Sequence, residues 1–377
     1  EEYDPDRFYW PASPSSEGGF EDPFDEGRGD AHYWDVWHGK KPFEDIESKF
    51  FRFSSEYGFE AIPSMKTLRT VIHEDQFNIV SPEMEKHQKC IDNGPGNVTL
   101  MYYLLQYYQL PGTFERTVYA TQSLQSDFLE MAIRHFRSHR ERCSGSTYWQ
   151  INDTYPTISW ATLDYYGRWK GAHYVVKRSY GKVISYVEIG ADRAARLYVS
   201  SDETKPLKLT CKLELIEQGK GELHTECREI TAEPLTSSCV VSFKIPEMEE
   251  LRSREGYLHY EIECDGEVID SGNRLLERPK KFHFLDPHLI FYVEEWEEEK
   301  RKLTEKQFKI TVNAQQFARR VGIEFTDTDV ILSDNYFDLL PGESKTVWVE
   351  EIRSEKEVNQ KTLSEEIYLT SNYDVAK

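Results

Sequence analysis

The periodicity of apolar residues changes near residue 177, and this change constrains the fold most strongly. Before it, segments rich in aromatic or β-branched residues alternate with stretches of helical periodicity; after it, apolar residues recur mostly at every second position. Alternating strands and helices indicate a parallel α/β arrangement, whereas successive short strands predict β-sandwiches. We therefore expect a multidomain chain with an α/β region over 1–177 and two immunoglobulin-like β-sandwiches over 178–280 and 281–377.

The α/β region contains four candidate strands and one long helical stretch. The strands are predicted at 8–10, 31–37, 49–57 and 146–152. Helical periodicity covers 99–108 and 115–140. Four parallel strands would leave two open edges, and a complete (β/α)8 barrel needs eight strands in about 250 residues. We therefore expect the second half of a TIM barrel, whose first half lies outside these residues.

The charge balance disfavours two classes of partner. The chain has 46 Lys and Arg against 67 Asp and Glu, a formal net charge of −21 at pH 7. An acidic surface repels phosphate backbones and anionic lipid headgroups, so we expect neither nucleic-acid nor membrane binding. No run approaches about eighteen consecutive apolar residues, so we expect no membrane span. The compartment is left open between the cytoplasm, which we favour slightly, and a lysosomal or secreted location.

Metal and nucleotide chemistry find no support in the sequence. None of the six cysteines forms a CxxC pair, which disfavours a structural zinc site. His135 and His139 lie four residues apart in the helical stretch, but Arg134, Arg137 and Arg140 surround them. We interpret this pattern as a solvated basic face rather than a metal site. The sequence contains no Walker-type or GxGxxG phosphate loop and no GxSxG nucleophile elbow.

Two segments carry candidate chemistry. Glu56 lies at the C-terminal end of a predicted strand, where barrel active sites are built, although a surface glutamate at a strand–loop junction would look the same. The segment 148–174 places Trp149 beside the polar residues Gln150 and Asp153. An aromatic face flanked by hydrogen-bonding groups suits a sugar pocket. A core tryptophan next to a helix cap is the alternative.

Blocks of sequence along nearly the whole chain carry a family resemblance. They are Asp-Pro-Asp-Arg at 4–7, Tyr-Trp-Pro-Ala-Ser-Pro-Ser at 9–15, Gly-Asp at 29–30, His-Tyr-Trp-Asp-Val-Trp-His-Gly at 32–39, Ser-Glu-Tyr-Gly at 55–58 and Ser-Asp-Asn-Tyr-Phe-Asp at 333–338. In this order they resemble the retaining β-mannosidases of glycoside hydrolase family two. The blocks before residue 40 match that family's fifth and sixth barrel strands, and the last block matches its terminal sandwich.

The resemblance implies roles for individual residues. Glu56 matches the catalytic nucleophile, and Trp149 matches the aromatic floor of the subsite that holds the cleaved sugar. Tyr33 and Trp34 are implied as sugar contacts or as holders of the nucleophile carboxylate, with the choice between them open. Two weaker candidates, either of which could instead support the last loop, are Trp160 and Asp153.

One part of the family pattern is missing. The family's acid/base is a glutamate preceded by asparagine at the end of the fourth barrel strand, and no such block precedes the fifth-strand motif; Glu1 and Glu2 are too close to that motif to serve. We therefore expect the chain to be the C-terminal part of a longer enzyme, inactive alone, whose partner is the N-terminal half-barrel.

The resemblance implies an exo-acting β-mannosidase that releases terminal β-mannose with retention of configuration. Such an enzyme needs no metal or cofactor, because two carboxyl groups about 5–5.5 Å apart suffice. The alternatives are a related β-glucosaminidase, an endo-acting enzyme on mannose-containing glycans, or a carbohydrate-binding or scaffold protein that has lost catalysis.

Overall fold

The computed structural model has short strands and helices before residue 180 and mostly strands after it. It describes residues 2–7, 9–10, 12–16, 22, 24–90, 96–247, 251–296, 307–354 and 357–377. The α-helices are α1 (Met65–Leu68), α2 (Pro82–Lys86), α3 (Gly96–Tyr107), α4 (Phe114–Ser138), α5 (Gly171–Ser179) and α6 (Gln360–Glu366). Single turns of 3₁₀-helix cover Phe43–Ser48, Glu74–Gln76 and Asn372–Asp374.

The strands fall into three groups along the chain. The first group is β1 (Ala31–His32) and β2 (Ser54–Glu56). The second is β3 (Val183–Ile189), β4 (Ala194–Ser201), β5 (Leu207–Glu217), β6 (Gly221–Ala232), β7 (Ser237–Lys244), β8 (Gly256–Cys264) and β9 (Glu267–Leu275). The third is β10 (Ile290–Trp296), β11 (Gln307–Asn313), β12 (Ala318–Phe325), β13 (Asp329–Leu332), β14 (Phe337–Leu339), β15 (Ser344–Arg353) and β16 (Ile367–Thr370).

The N-terminal region contains three short parallel segments. Strands β1 and β2 pair in parallel, with His32 opposite Glu56. A third extended segment joins β2 through a parallel bridge between Ser54 and Ser146, and its Trp149 amide donates to the Tyr57 carbonyl at 2.8 Å. The C-terminal ends of all three segments therefore lie side by side, at 33–34, 56–58 and 148–149.

These segments are shorter than the strands predicted from the sequence. Residues 35–38 form a turn rather than the end of a strand, and the amide of Gly39 donates to the carbonyl of Trp34 at 3.0 Å. Of the strand predicted at 8–10, residue 8 lies outside the described residues, and residues 9 and 10 have no strand structure. The aromatic residues at 34–37 produced the strand prediction, because aromatic residues in strands commonly pack into the core. In the structure they pack into the core from a turn instead.

Helix α4 is the longest element of the N-terminal core. The helical periodicity over 115–140 is confirmed, and Leu124, Phe128 and Ile133 are fully buried, because the helix packs on more than one side. Thr113 caps the helix, since its hydroxyl oxygen accepts from the amide of Arg116 at 3.2 Å. Among the described residues, no helix is both long enough and apolar enough to span a membrane.

Each of the two later strand groups forms a β-sandwich. Sheet β3-β4-β7 packs on sheet β6-β5-β8-β9, and sheet β10-β11-β15-β13 packs on sheet β14-β12-β16. Alternating side chains such as Leu213 and Ile310 are completely buried between the paired sheets. The hairpin from β8 to β9 turns at Asp265 and Gly266, both at positive φ (53° and 83°), as its sequence predicts.

Charged side chains on α4 dock both sandwiches. The buried guanidinium of Arg134 makes two hydrogen bonds to the Asp270 carboxylate of β9, at 2.7 and 3.1 Å. The carboxylate of Asp127 accepts from Arg319 at 2.6 Å and from Arg320 at 2.9 Å, both on β12. Bidentate, charge-assisted contacts of this kind fix orientation as well as distance, so one helix sets where each sandwich lies.

A further carboxylate of α4, that of Glu130, predicts a dependence of stability on acidity. Burial acts to raise the pKa of Glu130, but its ion pairs with Arg320 and Arg134 prevail and lower that pKa to about 2, from an ordinary value of 4.5. A carboxylate with a depressed pKa in the folded state stabilises the fold above about pH 4.5, and this contribution is lost as the pH falls towards 2.

We therefore expect the free energy of unfolding of Glu130→Gln to fall less steeply than that of the wild type between about pH 5 and 3. Urea titrations across this range measure both slopes. Glu85→Gln, which removes an exposed carboxylate from α2, serves as the matched control and should follow the wild type. Equal slopes for Glu130→Gln and the wild type would contradict the assignment.

Candidate functional site

The Glu56 carboxylate lies at the C-terminal end of β2 and is held by two aromatic rings. The indole nitrogen of Trp34 donates to Oε2 at 3.1 Å, and Nδ1 of His32 lies 3.2 Å from the same oxygen. About 28% of the Glu56 side chain remains exposed, so the carboxylate is oriented and still accessible. An accessible, oriented carboxylate can act as an acceptor, a base or a nucleophile.

The alternation of β1 decides which of its side chains reach Glu56. His32 and Trp34 point to the side of the carboxylate, whereas Ala31 and Tyr33 point into the core and are each 1% exposed. The Tyr33 hydroxyl donates to Asp45 at 2.6 Å. Of the two candidates left open by the sequence, Trp34 is the one whose side chain contacts the carboxylate, whereas the side chain of Tyr33 is buried in the core.

A polar chain extends from His32 away from Glu56. Nε2 of His32 lies 3.0 Å from the Ser13 hydroxyl, which donates to Asp30 at 2.5 Å, as does the hydroxyl of Ser55. Partial burial acts to raise the pKa of Asp30, but hydrogen bonds led by those from Ser13 and Ser55 hold it below its ordinary value. An ionised Asp30 can only accept hydrogen bonds, so the Ser13 hydroxyl donates its proton to Asp30. The Ser13 oxygen can then accept a hydrogen bond from Nε2 of His32.

Aromatic rings form a wall beside the carboxylate. The rings of Trp34 and Trp160 meet edge to face with centroids 6.0 Å apart, and the His38 ring lies 6.2 Å from that of Trp160. Trp160 is only 8% exposed, and its indole N–H has no acceptor among the described residues. Trp160 therefore combines packing in the core with an unsatisfied donor.

Trp149 lies at the end of the third parallel segment and is 41% exposed. Its peptide bond to Gln150 is cis. Gly58 makes room for this segment, because a Cβ at Gly58 would lie 2.1 Å from the Trp149 carbonyl oxygen and 3.3 Å from the Trp160 ring. The absence of a side chain at Gly58 lets the tips of the second and third segments approach closely.

Asp153 supports the loop that follows Trp149. Its carboxylate is completely buried and accepts from the Ser159 hydroxyl at 2.6 Å and from the Gln150 amide at 3.2 Å, and Lys89 lies 3.3 Å away. The Asp153 carboxylate thus has three partners and no exposed surface. This arrangement favours support of the loop, which the sequence analysis gave as the alternative to a sugar contact.

Two buried ionisable groups beneath this loop were missed by the sequence analysis. The Lys170 ammonium donates to the carbonyls of Ala61 and Ser159 at 2.9 and 3.2 Å, and burial lowers its pKa to about 8. Glu60 is fully buried, and burial raises its pKa well above the ordinary value. Neither residue stands in a pattern that distinguishes it in the sequence. His32 was also missed, but its spacing of two from Trp34 could have identified it.

The interpretation of His135 and His139 as a solvated basic face is wrong. His135 is completely buried, and its Nδ1 lies 2.7 Å from a carboxylate oxygen of Glu188 on β3. The helix turn that carries both histidines packs against the first sandwich. The arginines around them contact acidic residues of the same sandwich rather than solvent alone.

Two family models match the strand-rich part of the chain. Residues 193–281 match a mannosidase Ig/CBM-like domain, and residues 285–375 match an Ig-fold domain of mannosidases. These matches agree with the two β-sandwiches expected from the alternating sequence pattern.

Curated relatives match nearly all of the chain. Beta-mannosidase B of Aspergillus fumigatus is 26% identical over 386 residues, which cover 94% of this chain and 42% of the relative. Beta-mannosidase B of Aspergillus niger is 26% identical over 393 residues, 96% of this chain and 44% of the relative. The chain thus spans about two-fifths of the length of the curated relatives it matches.

Solved structures share the fold. The β-D-mannosidase of Dictyoglomus thermophilum superposes with a TM-score of 0.81 at 21% identity, over 96% of this chain and 42% of that one. An exo-chitosanase of Amycolatopsis orientalis, solved with PNP-β-D-glucosamine, gives a TM-score of 0.67 at 13% identity, over 88% and 44% of the two chains. In sequence and fold, the chain resembles the C-terminal portion of a glycoside hydrolase family two β-mannosidase.

Proposed function

We propose that this chain provides the nucleophile side of a retaining exo-β-mannosidase active site, with Glu56 as the nucleophile. The observation that carries the proposal is the Glu56 carboxylate at the tip of a parallel strand, accessible and held by Trp34 and His32 beside an aromatic wall. Barrel enzymes use this end of their strands for chemistry. The similarity to β-mannosidases adds the substrate class.

The three parallel segments are the remnant of a (β/α)8 barrel completed by another polypeptide segment. Among the described residues, the outer edges of β1 and of the segment ending at Trp149 have no further parallel partner. Open edges of a parallel sheet are unfavourable unless another strand covers them. Relatives more than twice as long as this chain have the length to provide the remaining strands.

The chemistry is a double displacement. Glu56 attacks the anomeric carbon of the terminal mannose while the glycosidic C–O bond breaks, and a glutamic acid of the N-terminal half-barrel protonates the departing oxygen. This step leaves the sugar as an ester of Glu56. The same N-terminal carboxylate then takes a proton from water, which attacks the anomeric carbon and releases Glu56, so the configuration is retained.

The hydrogen bonds to Glu56 suit both halves of this cycle. Trp34 donates to Oε2, and Nδ1 of His32 lies beside the same oxygen, which leaves Oε1 as the oxygen that attacks. The wall formed by Trp34, His38 and Trp160 offers an apolar surface for the sugar ring, and Trp149 provides its floor. The unpaired indole N–H of Trp160 is a donor for a substrate oxygen or for a group of the missing half-barrel.

Glu56→Gln in the full-length enzyme should abolish turnover of an aryl β-mannoside and leave the fold intact. The amide keeps the shape and the hydrogen bonds of the side chain but cannot form the ester, so the rate should drop by several orders of magnitude. Glu74→Gln, an exposed carboxylate distant from the strand tips, is the matched control and should retain wild-type turnover. A Glu56→Gln rate within tenfold of the wild type would remove this residue from the proposed role.

Trp149→Ala should weaken binding of the sugar by about 1–3 kcal/mol, or roughly 5- to 150-fold, because a large apolar face is lost. Inhibition constants for a mannose-configured competitive inhibitor measure this change. Trp348→Ala removes a tryptophan of nearly equal exposure, 40%, from the last sandwich and should leave the constant unchanged. Equal constants for Trp149→Ala and the wild type would make Trp149 a structural residue.

The isolated 377-residue chain should have no measurable activity on a nitrophenyl β-mannoside. It lacks the acid/base, whose assistance alone is worth about 10²–10⁴-fold, and half of the pocket. Mixing it with the separately produced N-terminal half should restore turnover, and a Glu56→Gln chain mixed in the same way should not. Activity from the isolated chain would contradict the division of the site between the two segments.

A further inference from the structure

We propose that His135, His139 and Glu188 form a Zn²⁺ site that joins helix α4 to strand β3 of the first sandwich. One nitrogen from each histidine and one oxygen of Glu188 all lie within 4.8 Å of one another. His135 lies in the last turn of α4 and His139 caps its C-terminus, and the two imidazole rings lie 4.7 Å apart between centroids. The cluster lies apart from the strand tips around Glu56, so the proposal is independent of the proposed function.

Backbone carbonyls orient both imidazole rings. Nε2 of His135 donates to the carbonyl of Lys49 at 2.8 Å, which leaves its Nδ1 facing Oε1 of Glu188 at 2.7 Å. Nδ1 of His139 lies 3.0 Å from the carbonyl of His135 and 3.6 Å from the same Glu188 oxygen. Metal-binding histidines characteristically give one N–H to a backbone carbonyl or a carboxylate, because this fixes the tautomer that presents a lone pair to the metal. The Lys49 carbonyl does this for His135, whereas Nδ1 of His139 must leave the His135 carbonyl in order to bind the ion.

The arginines that argued against a cation are each paired with a carboxylate outside the cluster. Arg134 pairs with Asp270 at 2.7 Å, and Arg137 pairs with Asp202 at 2.8 Å. Arg140 pairs with the same Asp202 carboxylate. These contacts reduce the positive field of the three guanidinium groups at the cluster, and the charge of Glu188 favours a cation there.

The ligand set and its spacing fit zinc. Two imidazoles and one carboxylate are ligands that Zn²⁺ accepts, whereas Mg²⁺ and Ca²⁺ prefer oxygen alone. Tetrahedral bonds of about 2.0–2.1 Å place the donor atoms roughly 3.3 Å apart. The contact between His135 and Glu188 must therefore open by about half an ångström, and the wider separations in the cluster, which lie within 4.8 Å, must close on binding. The side chains of His139 and Glu188 remain 15% and 17% exposed, which gives water access to the fourth position.

The site would act as a clamp between domains. Glu188 belongs to the first sandwich, and the histidines lie at the C-terminal end of α4. The Arg134–Asp270 contact and the packing of α4 on β3 already connect these elements, and a bound ion would add a third connection. The ring of Phe50 covers both histidines, with centroids 5.3 and 4.9 Å from theirs, and limits the exchange of ligands with solvent.

The test is calorimetric titration of Zn²⁺ into the full-length protein after treatment with a chelator. We expect one saturable site per chain and a Tm that rises with Zn²⁺ and returns on chelation. Glu188→Gln and His139→Gln should each weaken binding by more than tenfold. His224→Gln is the matched control, because it disrupts another histidine–glutamate pair of the same sandwich, His224 with Glu226 at 3.3 Å, and it should bind like the wild type.

Co²⁺ provides a second measurement that does not depend on stability. In a site with these three ligands, Co²⁺ gives visible absorption bands of tetrahedral geometry, which Glu188→Gln and His139→Gln should lose and Zn²⁺ should displace. Far-ultraviolet circular dichroism verifies that each variant is folded. Absence of saturable Zn²⁺ binding, or equal binding by the wild type and both variants, would overturn the proposal and leave a simple imidazolium–carboxylate pair.

Discussion

The amide group of Gln125, buried in the middle of helix α4, is the interaction on which the candidate site depends. Its nitrogen donates to the carbonyls of Phe59 and Trp160, at 2.8 and 3.0 Å, and thereby joins the segment that follows Glu56 to the loop that carries the aromatic wall. The side chain of Gln125 is completely buried, where each such hydrogen bond is costly to lose. One turn before it, Gln122 binds the Ile62 carbonyl at 3.1 Å in the same way.

The same helix continues into the contacts that fix the sandwiches, so one rigid element connects the site to the rest of the chain. The two sandwiches contribute few groups near Glu56, and their strands serve mainly to hold α4 through Asp270 and through Arg319 and Arg320. This arrangement explains how three very short parallel segments, with only a few backbone hydrogen bonds among them, keep a defined geometry at their tips. It is also compatible with the proposal that the active site is shared with another segment, since the strand tips around Glu56 are supported by the core of this chain.

The sequence predicted the large elements well because their patterns are long and regular. Helix α4 and the alternating strands that bury Leu213 and Ile310 follow directly from apolar spacing. The parallel strands were predicted too long, because aromatic residues at 34–37 pack into the core from a turn. Glu56 and Trp34 were proposed as site residues through the resemblance, but Tyr33 was not separated from Trp34, because the directions of the side chains after a two-residue strand were unknown. The cluster of His135 and Glu188 depends on packing between residues far apart in the chain, which no local pattern reveals.

The central claim, that Glu56 becomes covalently bonded to the substrate, is tested most directly by trapping the intermediate. In a 2-deoxy-2-fluoro mannosyl fluoride, the fluorine at C2 slows both displacements, and the good fluoride leaving group speeds only the first, so the glycosyl-enzyme accumulates. Peptide mass spectrometry of the inactivated full-length enzyme should find one fluorosugar, on the peptide that contains Glu56. A label on a different carboxylate, or inactivation without any covalent label, would contradict the account.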